Sequence, residues 1–208
     1  MGRKVSQVIN LSNHTVTVCD TIPLFAPIDL SVQAGEIAVI MGASGVGKTS
    51  LLASIATQSD IIFKNQFRVF QESHQLFPWM TVRKNLELVC QKPYIDLVKR
   101  WNLEQYLDHS PSNLSGGQRQ RFTLIRGLSS GLRTLLCDEP LSALDGLTGA
   151  TVAKDFREIV HEENLTVVWV THNVTEARIV GDSIYLLSKN GLKNITEEDD
   201  LIVSILSL

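Results

Sequence analysis

The chain has 208 residues, a net charge of −3 from 19 Lys and Arg against 22 Asp and Glu, and 44% hydrophobic residues. Its length and apolar content suit one folded domain with a sizeable core, and the absence of any basic stripe excludes a nucleic-acid footprint. No apolar run approaches the roughly 18 residues of a membrane span, no signal peptide is read at the N-terminus, and Cys19, Cys90 and Cys137 form neither a metal spacing nor an even disulfide set.

The first elements read as short strands. Val16 and Val18 alternate with Thr in TVTV, and Ile28, Leu30 and Val32 alternate with polar residues in IDLSV, so antiparallel strands with one buried face are expected. EIAVIM (36–41), TLLCD (134–138), TVVWVT (166–171) and SIYLLS (183–188) are near-continuous apolar runs. They predict a parallel sheet covered on both faces, with helices between the strands.

The first of these runs leads directly into MGASGVGKTS. Here Gly42, Ala43, Ser44, Gly45 and Gly47, interrupted only by Val46, offer little side chain to a core, but Gly42, Gly45 and Gly47 can take positive φ and turn backbone N–H groups onto an anion. A helix beginning near Gly47 adds its positive N-terminal end, followed by Lys48, Thr49 and Ser50. The pattern G-x-x-x-x-G-K-[ST] between a strand and a helix reads as a phosphate loop, with Lys48 for the β- and γ-phosphates and the Thr49 hydroxyl for Mg²⁺.

Between about residues 72 and 112 the texture becomes helical, with TVRKNLELVCQ and IDLVKRWNLEQYL and no buried strand between them. Just before them lie Phe77, Pro78, Trp79 and Met80, four bulky residues that fit neither a solvent loop nor a helical period. They read either as the segment's own core or as part of a groove for a partner helix.

LSGGQRQR (114–121) follows, and Ser115, Gly116, Gly117 and Gln118 make a second phosphate-seeking turn at a helix start. LLCDEP (135–140) ends a buried strand in two carboxylates, so Asp138 is expected to face a Mg²⁺ ion and Glu139 an attacking water. Val152, Phe156, Ile159 and Val160 share one helix face and need only a structural explanation. The tail NITEEDDLIVSILSL reads as a terminal helix with Thr196 as N-cap.

Taken together, these motifs resemble the ATP-binding subunit of ABC transporters over nearly the whole chain. In family order they are GASGVGKT, Gln71 in VFQ, LSGGQ, LLCDEP, SALD ending in Asp145, and VTHN with His172. The resemblance implies an α/β P-loop NTPase with a mainly parallel central sheet, an N-terminal antiparallel β region and a small helical lobe. It implies one domain over 1–208, with its core at about 1–71 and 113–208 and the lobe at about 72–112. It further implies a head-to-tail pair of copies that sandwich ATP and Mg²⁺, the phosphate loop of one copy facing LSGGQ of the other. Glu139 would be the general base, His172 would contact the γ-phosphate, Gln71 would touch the metal and the water, and Asp145 would link the two sites.

LFPWMTV after Gln71 resembles importer-type members. Transmembrane permease subunits are therefore the expected partners, with a solute-binding protein met only through them. The chain is then peripheral, on the cytoplasmic side of the membrane. The alternative, a soluble ABC ATPase acting on DNA or ribosomes, calls for coiled-coil insertions, a second cassette or basic linkers, and none is present. Two departures stand out. No aromatic residue lies near Cys19, where the family stacks adenine, and Phe25 is out of register. The stretch from Lys48 to Gln71 is also short, so strands flanking the core are expected to be trimmed.

Overall fold

The computed structural model describes residues 7–18, 21–57, 66–69 and 76–197. In chain order its strands are β1 (Gln7–His14), β2 (Thr17–Val18), β3 (Ile22–Pro23), β4 (Ile28–Gln33), β5 (Ile37–Met41), β6 (Gln66–Val69), β7 (Thr134–Asp138), β8 (Thr166–Val170), β9 (Ser183–Ser188) and β10 (Gly191–Asn194). The helices are α1 (Lys48–Thr57), α2 (Val82–Glu87), α3 (Ile95–Arg100), α4 (Gly116–Leu128), α5 (Gly146–Glu162) and α6 (Val174–Val180).

Strands β10, β9, β5, β8, β7 and β6 lie side by side in that order. All are parallel except β10, which returns as a hairpin against β9. Every residue of β5, β7 and β8 is buried, as the near-continuous apolar runs predict. The pleat divides these side chains between two cores. Ile37, Val39, Met41, Leu135, Cys137, Val167 and Trp169 face one core, where α4, α5 and α6 pack with Phe122, Phe156 and Ala177. Ala38, Ile40, Leu136, Val168 and Val170 face the other, filled by Leu51 and Ile55 of α1 and by β1 and β4. The expected stripe of α5 is buried, and Phe156 meets Trp169 edge-on with ring centroids 4.8 Å apart.

β4 pairs antiparallel with β1, a strand the sequence reading passed over because only Ile9 and Leu11 mark its apolar face. β6 was likewise missed; it is an edge strand beside β7 whose residue Val69 is buried. One expectation needs correction. The segment IDLVKRWNLEQYL is not one helix: α3 stops before Asn102, whose φ of 54° breaks the spiral, and a short 3₁₀ turn follows at Glu104–Tyr106. In the tail, the Thr196 hydroxyl accepts from the Ile184 N–H at 2.9 Å, tying it to β9. The rest of the terminal helix expected there lies outside the described residues.

The Phe77–Met80 stretch is held mainly by the buried Asn85, with the Ser110 hydroxyl donating to the Pro78 carbonyl at 3.2 Å. Asn85, on α2, accepts from the Phe77 N–H at 2.7 Å and donates to the carbonyls of Phe77, Met80 and Thr81. Phe77 is thereby turned under Arg126, whose guanidinium lies 5.8 Å from its ring centre, while Trp79 stands 75% exposed.

Candidate nucleotide site

β5 delivers the chain to the carboxyl edge of the sheet, the side on which open α/β sheets bind ligands. The loop that follows turns through Gly45 at φ 78° and Gly47 at φ 109° before α1 begins. Gly47 is confined as well as twisted, since a β-carbon there would lie 3.1 Å from the Phe25 ring. Gly42 departs from the expectation of positive φ; it is required because a β-carbon would come within 2.6 Å of the Leu187 carbonyl on β9. Ala43, Ser44 and Gly45 are exposed, and with Val46 they face Leu187–Asn190 across a cleft of about 500 Å³. Ser50 is exposed on the first turn of α1.

Lys48 folds over this loop, its ammonium donating to the carbonyls of Gly42 at 2.9 Å and Ala43 at 3.0 Å. Burial lowers its pKa, against the opposing pull of Glu139 and Asp138. Thr49 donates to Asp138 Oδ2 at 2.7 Å, joining α1 to the end of β7. Burial also pushes the Asp138 carboxyl above its usual range and Glu139 adds to this, while the Thr49 bond and Lys48 work the other way. A buried carboxylate of this kind is relieved by a cation. Thr49 and Asp138 therefore suit a Mg²⁺ ion, which commonly takes one or two protein oxygens and completes its shell with water and phosphate.

Glu139 sits one step beyond, with φ at 44°, a left-handed conformation costly for a side chain of this kind. Its N–H donates to the Val170 carbonyl at 2.9 Å, which holds the turn against β8. β8 in turn presents His172, whose Nδ1 lies 3.0 Å from Glu139 Oε1. His172 is 65% exposed at its side chain and Glu139 only 15%, so the imidazole is the solvent-facing partner of the pair. The structure thus gathers Lys48, Thr49, Asp138, Glu139 and His172 at one edge of the sheet. Gln71 and Cys19 lie outside the described residues. Phe25 is 3% exposed and packs under the phosphate loop, so it offers no face to a base.

A second cluster forms where α4 and α5 begin. Ser115 caps α4 through a reciprocal pair: its hydroxyl accepts from the Gln118 N–H at 3.2 Å, and its own N–H donates to Gln118 Oε1 at 2.8 Å. These side chains are occupied with capping, a use the sequence reading did not assign them. The N–H groups of Gly116 and Gly117 are left without intrahelical acceptors. Asp145 caps α5, accepting from the Thr148 N–H at 3.0 Å, and those backbone donors hold its carboxyl below the usual range.

Two buried polar side chains were missed altogether. Gln120 reaches the turn after β7 from α4, and Glu176, one turn beyond His172, accepts from the Trp169 indole at 2.6 Å. A polar residue at an apolar helix position was the available signal for both.

Comparison with known proteins decides the family. The sequence profile described as "ABC transporter" matches residues 25–142. The chain belongs to the ABC transporter family. It is 31% identical to the thiamine import ATP-binding protein ThiQ of Vibrio cholerae, with 81% of this chain and 82% of that protein aligned. It is 34% identical to the aliphatic sulfonates import ATP-binding protein SsuB 2 of Agrobacterium fabrum, over 78% of this chain and 69% of the relative. It is 35% identical to the bicarbonate transport ATP-binding protein CmpC of Synechococcus elongatus over 77% of its own length, but spans only 28% of that protein.

Among solved structures, a bacterial ABC transporter cassette determined as a dimer superposes with a TM-score of 0.76 at 28% identity, covering 88% of this chain and 96% of that one. The same cassette in a post-hydrolysis state, bound to ADP and Pi, superposes with a TM-score of 0.73 at 26% identity, covering 89% and 98%. No described helix of this ABC family member is long and apolar enough to cross a membrane.

Proposed function

We propose that this chain binds and hydrolyses ATP to drive solute import through separate transmembrane permease subunits, acting as a head-to-tail pair with ATP between the copies. One observation carries the reading: Glu139 and His172 meet at 3.0 Å beside the Thr49–Asp138 pair, at the open end of a phosphate loop. The import proteins among its relatives and the dimeric cassettes among its structural neighbours support the same conclusion over the alternative of a soluble ATPase acting on DNA or ribosomes.

In this reading Lys48 leaves the carbonyls it now holds and pairs with the β- and γ-phosphates, while the loop N–H groups receive the phosphate oxygens. Thr49 and Asp138 are the residues to hold Mg²⁺, together with Gln71. The ion, when bound with the nucleotide, supplies neutralising charge at the phosphate oxygens. Glu139 orients a water and takes its proton, and His172 fixes the Glu139 carboxylate while its remaining face reaches the γ-phosphate. Phosphoryl transfer asks mainly for such positioning and charge stabilisation. Gly116 and Gly117 supply N–H donors to the nucleotide of the other copy, and Asp145 stands where the two sites meet. The catalytic core spans about 1–71 and 113–208 and a helical lobe about 72–112, with the subunit peripheral on the cytoplasmic face of the membrane.

Glu139→Gln and Lys48→Ala test the assignment. The first should bind ATP like wild type and lose about two orders of magnitude or more in turnover; the second should lose binding itself. Near-normal hydrolysis by Glu139→Gln refutes the proposed chemistry.

A further inference from the structure

Gln120 has no part in the scheme above, yet its surroundings are unusual. It is 3% exposed, on the second turn of α4. Its Nε2 donates to the Glu139 carbonyl at 3.1 Å and to Ser142 Oγ at 3.3 Å, and its Oε1 accepts from the Ala143 N–H at 2.9 Å. One amide thus grips both ends of the turn that begins at Glu139 and runs toward Asp145. A second, independent contact joins the same two pieces. A β-carbon on Gly117 would lie 2.7 Å from Leu144 Cδ2 and 3.1 Å from the Ala143 carbonyl, and one on Gly116 3.3 Å from Ala143 Cβ. The first turn of α4 and the 139–145 segment are therefore packed at contact distance, with no room to slide past one another.

We propose that Gln120 is a positioning residue that joins the Gly116–Gly117 turn to Glu139 as one rigid piece, so that nucleotide engaged by this turn in the opposite site sets the Glu139 backbone in the chain's own site. This rests on the head-to-tail reading above. The physical reasons are local. Glu139 holds a left-handed φ that needs support from outside the turn, and Gln120 is a buried donor aimed at its carbonyl. The Gln120 amide also satisfies the Ala143 N–H, so a shift of α4 must either drag the 139–143 turn along or break buried hydrogen bonds. Coupling between two sites requires such an element, biased by both ligands.

Gln120→Met in the full chain, which keeps length and bulk but removes the amide, is the test. Three readouts separate a positioning role from a merely structural one. The kcat should fall about tenfold or more while KM for ATP changes less than about threefold. The Hill coefficient for ATP should fall from above one toward one. The Ala143 amide, relieved of Gln120 Oε1, should exchange with solvent about tenfold faster in the nucleotide-free chain. Wild-type kcat and Hill coefficient in a well-folded Gln120→Met overturn the proposal, as does a loss of turnover no greater than the loss of folded protein. Unchanged exchange at Ala143 overturns it whatever the activity. A wild-type chain that hydrolyses no ATP refutes the proposed function instead, and with it the coupling. A hydrolysing wild type matched by Gln120→Met removes only the role of Gln120.

Discussion

Glu176 shows how far one residue's surroundings can move its chemistry. Its carboxyl lies beneath the Trp169 indole at 2.6 Å and is 9% exposed, and burial raises its pKa from 4.5 to about 7, against the hydrogen bonds from Trp169 and Thr171. The folded chain therefore holds this proton more tightly than the unfolded chain does. The resulting stabilisation is complete below pH 4.5 and is lost as pH rises through about 7. Glu176→Gln stays neutral and keeps an acceptor for the indole, so it should escape that loss. Thermal unfolding should show the variant gaining on wild type between pH 5 and pH 8 by on the order of 5 °C, which corresponds to about 2 kcal/mol in a chain of this size. A melting-temperature difference that stays flat across this range rules out a raised Glu176.

At the scale of elements, the loop before α2 separates a structural task from an exposed surface. Asn85 satisfies the Phe77 N–H and three carbonyls from within the core, so Asn85→Leu should strand buried backbone groups and cost about 3 kcal/mol. Trp79 makes a tilted contact with Phe77 at 5.2 Å but remains 75% exposed. Trp79→Ser should leave the melting temperature within about 2 °C of wild type. If this loop receives a permease helix, the same variant should lose co-purification with the membrane subunits while basal hydrolysis continues. Retained co-purification with Trp79→Ser places the docking surface elsewhere. The sequence marked this stretch as unusual because four bulky residues in a row fit no period. It could not show which of them turn inward, because that is decided by Asn85, five residues beyond Met80.

At the scale of the whole molecule, a single chain carries a phosphate loop at the end of β5 and a second glycine turn at the start of α4. In the proposed head-to-tail pair each copy would complete the other's site, and ATP would lie in the interface between them. Light scattering should therefore show Glu139→Gln doubling in mass with Mg-ATP and returning to a monomer when the nucleotide is removed; Lys48→Ala should stay monomeric. A Glu139→Gln chain that stays monomeric at saturating ATP contradicts the pairing. What the sequence marked by itself was a set of polar residues at strand ends: strand, glycine-rich loop and helix are contiguous around Lys48 and Thr49, and Asp138 and Glu139 close an apolar run; the fold then brings the four to one edge of the sheet. The parallel sheet was equally readable, because strands buried on both faces are apolar at nearly every position. Tertiary structure alone decided the rest. β1 and β6 became strands by pairing with β4 and β7, since two or three apolar residues gain a ladder only when a partner supplies it. Gln120 and Glu176 acquired their surroundings from elements distant in the chain, and a buried polar side chain takes its meaning from the groups that the fold brings to meet it.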